Sequence, residues 1–232
     1  MPDTKIRAWP PRTFMARLSP PTAAALLRLG TEQRLPTGRI LMREGEHGSY
    51  VALIRRGVVK VTAEMPDGRP ALLSIRVAGD LVGEMGALNQ LPRSATVTMC
   101  GPGTVRLIQV RDFAPFLTSH PPAAVALAAT VGERLRWSNR RRIDFTSYPV
   151  KTRLARILTE LADFHGLRSR EGALEIGIRL TQPELATLCG AAEISVHKAL
   201  RDMRRSHLVS SRYGRIIVWD LSGLRDRADA AP

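Results

Sequence analysis

The sequence predicts an α+β protein: an N-terminal antiparallel β-barrel or jelly-roll sensor domain, a long dimerisation helix, and a C-terminal winged helix-turn-helix. Three observations carry this reading. Between Arg34 and Val110, short apolar runs alternate with turn signals; from Pro121 to Phe145 the period becomes helical; and Thr181 to Asp220 reads as two helices followed by a hairpin. The corresponding boundaries are 1–120, 121–147 and 148–232, and a chain of 232 residues is long enough for two separate cores.

After a Pro-rich basic leader, Phe14 to Gly30 predicts a short helix capped near Ser19 and stopped by Gly30. The apolar runs Tyr50–Ile54, Val58–Val61, Ala71–Val77, Ala95–Met99 and Val105–Val110 are then separated by Thr37-Gly38, Glu44-Gly45, Asp67-Gly68 and Gly79-Asp80. In the long helix, Ala128, Val131, Leu135, Ser138, Arg142 and Phe145 recur at spacings of 3 and 4, the signature of a coiled-coil seam. An amphipathic helix packed on its own barrel would give a similar run. Ser147-Tyr148-Pro149 breaks it, Val150 to Phe164 predicts another amphipathic helix, and Gly166 to Gly172 a loop.

The charge is unusual. Thirty-five Lys and Arg against 21 Asp and Glu leave a formal +14, which calls for a polyanionic partner such as nucleic acid or an anionic membrane. The leader lacks the apolar stretch of a secretory signal, and the longest apolar run, Ala123 to Ala129, cannot span a bilayer, so a cytoplasmic protein that does not engage membranes is expected. Cys100 and Cys189 sit in no metal-ligand or redox spacing, so both are read as buried small apolar groups and no metal is expected. No phosphate loop, nucleophile elbow or paired-His motif supports an enzyme.

A helix-turn-helix needs a small residue where its helices touch, a glycine at the turn and apolar residues wedging the pair. From Gln182 onward, Ala186, Gly190, and then Leu185, Cys189, Ala191, Val196 and Ala199 fill those roles. The hairpin after it, with Tyr213-Gly214 at its turn, would be the wing. Lys198, Arg201, Arg204, Arg205, Arg212 and Arg215 oppose one acid, Asp202, on these elements. A solvated basic face would look the same, but its place on the element that would face DNA favours phosphate contact. The first turn of the second helix puts Glu193, Ile194, Ser195, His197 and Lys198 nearest the bases: Glu accepts from cytosine N4, Ile packs on a thymine methyl, and Lys donates to guanine. Arg201 and Arg205, with Arg212 and Arg215 of the wing, fall where phosphates would lie.

The segment from Gly83 to Val97 carries the chemistry of the first domain. A cyclic nucleotide offers a phosphate anion and a ribose hydroxyl, so its pocket needs a bidentate cation, a carboxylate acceptor and backbone amides. Arg93, Glu84 and the Gly83–Ala87 turn, which includes Met85, can supply these, with Ser94 adding a hydroxyl. A structural Glu–Arg salt bridge is the alternative.

On these residues, the glycine turns, the long helix, the helix-turn-helix and the wing, the chain resembles the superfamily of the cAMP receptor protein and the fumarate-nitrate regulator, from Phe14 to about Leu224. The most specific feature is Pro92-Arg93, nine residues beyond Glu84 in the cyclic-nucleotide-binding pattern. The resemblance implies a ligand-responsive DNA-binding transcription regulator gated by cAMP or a related cyclic nucleotide. It also implies double-stranded DNA, a second copy of the chain and RNA polymerase as partners. By the same resemblance Glu84 would hold the ribose hydroxyl, Arg93 and Ser94 the cyclic phosphate, and Ser138 and Asn139 the base. Spacing puts Ser138 on the seam with Asn139 beside it, where polar residues could equally set coiled-coil register. A regulator of the same fold that binds DNA without a nucleotide, or senses another molecule, is the alternative. The fumarate-nitrate branch needs clustered N-terminal cysteines, which are absent, and haem would rest on His47 or His120 alone. The family's recognition helix commonly begins Ser-Arg-Glu-Thr-Val, whereas Ala192-Glu193-Ile194-Ser195-Val196 stands here, so a different operator is expected.

Overall fold

Ser19 starts the first helix as its composition suggests, its hydroxyl accepting from the Thr22 amide ahead of Pro20 and Pro21. In the computed structural model, which describes residues 9–169 and 172–230, this is α1 (Pro20–Arg28), preceded by a 3-10 turn at Met15–Arg17. The strands that follow are β1 (Thr31–Leu35), β2 (Ile40–Met42), β3 (Tyr50–Arg56), β4 (Val58–Glu64), β5 (Pro70–Val77) and β6 (Leu81–Val82). A short helix α2 (Glu84–Asn89) precedes β7 (Thr96–Met99), β8 (Gly103–Gln109) and α3 (Val110–Ser119).

These strands form two four-stranded sheets, ordered β1-β8-β3-β6 and β2-β7-β4-β5. The pair stays open as two sheets instead of closing into a barrel. The apolar run in β3 is continuous because both of its faces are covered: Val51 and Leu53 join one core, Ala52 and Ile54 the other. The first core lies among Phe14, Leu26, Ile108, Phe113, Phe116 and the start of the long helix; the second lies among Met42, Val59, Val97 and Met99. Helix α3 was not expected, and Pro115 inside it is one reason.

Helix α4 (Pro121–Ser147) is the predicted long helix, ending where Ser147-Tyr148-Pro149 was expected to break it. Ala123, Ala126 and Leu127 are buried in the first core. Val131, placed on the seam by spacing, packs against that same core. The exposed face reads Val125, Ala128, Leu135, Asn139, Arg142 and Thr146, with Gly132 between them, a 3-4 repeat that shares Ala128, Leu135 and Arg142 with the expected one and has Gly132, Asn139 and Thr146 where Val131, Ser138 and Phe145 were expected.

The chain divides into two compact units, residues 1–64 with 74–135, and residues 65–73 with 136–232. In the second unit lie α5 (Val150–His165), β9 (Gly166–Arg168), β10 (Leu174–Ile176), α6 (Gln182–Cys189), α7 (Glu193–Arg205), β11 (Val209–Arg212), β12 (Arg215–Val218) and α8 (Leu221–Ala228). The stretch expected to be a plain loop at Gly166 thus contributes a strand, and the wing is part of a four-stranded sheet ordered β11-β12-β10-β9. Tyr213 and Gly214 turn it with positive φ at both positions, 51° and 74°, the type I′ geometry that favours Gly and Asn-like residues.

Candidate nucleotide pocket and nucleic-acid interface

Arg93 is buried, 4% exposed, yet its guanidinium meets no carboxylate within 4 Å among the described residues. Nη1 donates to the Gly83 carbonyl at 2.5 Å, Nη2 donates to the Tyr50 carbonyl at 2.6 Å, and the group lies over the Tyr50 ring. Its backbone is equally fixed, the amide donating to Glu46 O and the carbonyl accepting from Gly45 N. Burial pulls the Arg93 pKa below the ordinary arginine value, with Tyr50 and Glu84 opposing the shift. The result is a rigid, desolvated cation whose direct hydrogen-bond acceptors are neutral carbonyls.

Gly83 makes this approach possible. Its φ is 83°, and a Cβ there would come within 2.6 Å of both Arg93 Nη1 and Met42. It opens α2, which begins with the buried Glu84. Glu84 Oε1 accepts from Arg134 Nη1 of α4 at 2.7 Å, while Arg134 Nη2 donates to Leu81 O at 2.8 Å and stands 3.6 Å from Asp80. The Glu84–Arg93 salt bridge envisaged as an alternative is therefore absent among the described residues; the carboxylate's partner is Arg134. Burial raises the Asp80 pKa, opposed by Arg134. Sequence reasoning missed Arg134, because an arginine on an Arg-rich helix carries no local signal; its place four residues before Ser138 was the only hint. Ser94 is exposed, Met85 is 53% exposed on the outside of α2, and Ser138 and Asn139 are both exposed on α4. His120 stacks on Phe116 and bonds its carbonyl, so it serves to finish α3.

In the second unit, the helix-turn-helix is built by local rules. Thr181 and Glu184 form a capping box at the start of α6, and Gly190 ends it in the left-handed region. A Cβ on Gly190 would lie 2.8 Å from the Phe145 ring, and Arg153 donates to the Cys189 and Gly190 carbonyls at 2.9 and 3.1 Å. Phe145 was expected on the seam; it faces this turn instead. Helix α7 buries Val196, Ala199, Leu200 and Met203. That leaves Glu193, Ile194, His197, Lys198, Arg201 and Arg205 exposed, Ile194 at 75%, with Ser195 half-buried.

The basic residues divide into two groups. Lys198, Arg201 and Arg205 have no carboxylate within 4 Å among the described residues. Arg215 is paired with Glu175 at 2.5 Å, and Arg204 donates to Ser211 Oγ of the wing at 3.1 Å, so both are partly committed. The Arg212 side chain lies outside what the structure describes. Glu193 stands 3.4 Å from Arg69, an exposed pair. Cys189 is buried and its pKa is pushed up to about 12 by desolvation, as expected of a packing thiol; Cys100, expected to be buried, is only half-buried. Among the described residues no helix is long and apolar enough to cross a membrane, and no group of three potential metal ligands occurs.

This combination of a jelly-roll domain with a buried arginine cassette and a winged helix-turn-helix defines the class of one-chain transcription regulators that join a nucleotide-type sensor to a DNA-binding domain. Residues 32–120 match the cyclic nucleotide-binding domain family and residues 152–227 the Crp-like helix-turn-helix domain family. The CRP-like cAMP-activated global transcriptional regulator of Mycobacterium tuberculosis is 30% identical over 213 residues, spanning 91% of this chain and 94% of that one. The regulator Cmr of the same organism is 25% identical over 82% of this chain and 73% of its own. A CRP-family transcriptional regulator of Thermus thermophilus superposes with a TM-score of 0.72 at 26% identity, covering 86% of this chain and 97% of that one. The chain belongs to the CRP-like family of transcription regulators: it is a ligand-responsive, DNA-binding regulator and not an enzyme.

Proposed function

We propose that this regulator is a homodimer gated by cAMP or a close cyclic nucleotide, with Arg93 and Ser94 holding the cyclic phosphate, Glu84 the ribose hydroxyl, and Asn139 with Ser138 the base. The observation that carries the reading is Arg93: a buried, ring-stacked guanidinium without a carboxylate partner is a poor structural element and a good receptor for one small anion. Gly83 abuts that position, and Met85, exposed on α2, completes the proposed set. Arg134 is added to the set, since a ribose hydroxyl on Glu84 would share its carboxylate. The dimer is supported by the exposed 3-4 repeat on α4, where Leu135 is 60% and Val125 68% exposed.

Glu193, Ile194, Ser195, His197 and Lys198 would face base edges. Arg201 and Arg205 would hold phosphates, with Arg212 and Arg215 on the wing, Arg215 after releasing Glu175. RNA polymerase is a further partner in this reading. Calorimetry with cAMP and cGMP, paired with operator selection from random DNA with and without nucleotide, tests it. Saturable binding of one nucleotide that tightens binding to a two-fold symmetric site is the expected result. A protein that binds neither nucleotide at millimolar concentration yet selects the same DNA would point to the ligand-free reading.

A further inference from the structure

A second cluster of arginines lies wholly within the second unit and is used neither by the nucleotide pocket nor by the DNA face. Between the later turns of α4 and helix α5 is a cavity of about 410 Å³, walled by Trp137, Arg140, Arg141, Tyr148, Arg156 and Glu160. That volume falls within the range of about 300–1,000 Å³ common to small-molecule sites.

Two of its guanidiniums are held in place before anything binds. Arg141 lies over the Trp137 ring at 4.8 Å and donates to Glu160 at 2.7 Å; Arg156 lies over the Tyr148 ring at 3.7 Å and donates to Asp144 at 2.6 Å. Trp137 Nε1 also donates to Glu160, which fixes that carboxylate from a second side. Stacking and pairing of this kind remove the side-chain freedom that an arginine would otherwise lose on meeting a ligand.

The charges do not cancel. Three guanidiniums line the cavity against the carboxylates of Asp144 and Glu160, and each carboxylate is already engaged by one arginine. Arg140 has no carboxylate within 4 Å among the described residues. Arg141 is only 8% exposed, and its Nε is buried without a hydrogen-bond partner. Burial also holds the Arg141 pKa below the ordinary value, Glu160 opposing it. The cavity face of α4, marked by Trp137, Arg141 and Asp144, differs from the exposed face that carries Leu135, Asn139 and Arg142.

We propose that this cavity is a binding site for a small organic oxyanion, a carboxylate or phosphate monoester on a compact body, held by Arg140 and Arg141 beside Trp137. The anion supplies an acceptor to Arg140, beside the Arg141 guanidinium, while Glu160 and Asp144 keep Arg141 and Arg156 oriented. The inference stands apart from the cyclic-nucleotide reading, and its test uses neither nucleotide nor DNA.

The test is fluorine NMR on the full chain labelled with 5-fluorotryptophan, which carries three tryptophans, with Trp137→Phe assigning the Trp137 resonance. Benzoate and phenyl phosphate are titrated against sodium chloride of equal ionic strength. The Trp137 signal is expected to move saturably with at least one organic anion and not with chloride, while the Trp9 and Trp219 signals stay in place. The tighter of the two probes identifies the headgroup. Arg140→Gln, at an exposed position that should leave folding intact, is expected to weaken the interaction about tenfold, the effect of losing one charge-assisted contact. Neither probe moving the Trp137 signal beyond the chloride control, a response confined to Trp9 or Trp219, or an affinity unchanged in Arg140→Gln would each overturn the proposal.

Discussion

The two cationic regions of this protein that serve its proposed function are built on opposite plans. Arg93 is buried and ring-stacked, and two of its N–H groups are spent on backbone carbonyls. Lys198, Arg201 and Arg205 stand out from α7 into solvent with no carboxylate near them among the described residues. A single small anion is recognised by a desolvated, fixed cation, whose strength survives added salt. A long polyanion is met by exposed cations acting together, whose joint effect salt removes. Position in the fold, more than residue type, decides which task an arginine can do.

The largest expected effect breaks the buried half of that contrast. Arg93→Ala should cost nucleotide binding on the order of 1.5–3 kcal/mol or more, roughly ten- to a hundredfold and upward in affinity, measured by calorimetry. Arg93→Lys keeps the charge but loses the fork, and should recover only part of it. Loss of affinity in Arg93→Ala that vanishes once melting temperature is matched to wild type would mean the residue is structural. Gly190→Ala comes next. It forces a Cβ into the left-handed region and against Phe145, costing about 1–3 kcal/mol of stability, read as a lower melting temperature with weakened DNA binding.

On the exposed side, Arg205→Ala should weaken all DNA sequences alike and lower the slope of log affinity against log salt by about 0.9. Glu193→Arg should change the preferred base at one position per half-site, measured by selection from random DNA. An unaltered preference would show that Glu193 does not reach the bases. The smallest effect concerns the buried thiol. With its pKa near 12, Cys189 should resist an alkylating reagent in the native protein while the half-buried Cys100 reacts, and both should react in denaturant. Equal rates in the folded state would contradict the packing of α6.

Much of this was legible because local rules wrote it. Several strands follow from short apolar runs between turn signals, α1 from Ser19 and its prolines, and the helix-turn-helix from Ala186, Gly190 and the apolar residues that wedge its helices together. What escaped was tertiary. Arg134 meets Glu84 across 50 residues, and Arg215 meets Glu175 across 40, pairings that no window of sequence contains. Half of the α4 stripe was misplaced: Leu135 stands outside as expected, but the first core claims Val131, because an Ala-rich helix offers too few large side chains to say which positions a core will take. Helix α3 lay hidden behind Pro115, while β9 and α8 are held by packing on neighbours more than by their own composition.

The placement of Arg134 has one more consequence. It and Leu135 are adjacent in sequence but lie about 100° apart on α4, one reaching Glu84 and the other standing in the exposed stripe. A second subunit gripping the stripe would therefore restrain the side chain that pairs with the Glu84 carboxylate. Thermodynamic linkage makes the effect mutual: nucleotide should tighten self-association by the same factor by which self-association tightens nucleotide. Diluting the protein toward the monomer should then weaken its apparent affinity for nucleotide, so that the regulator reads its own concentration together with that of its signal.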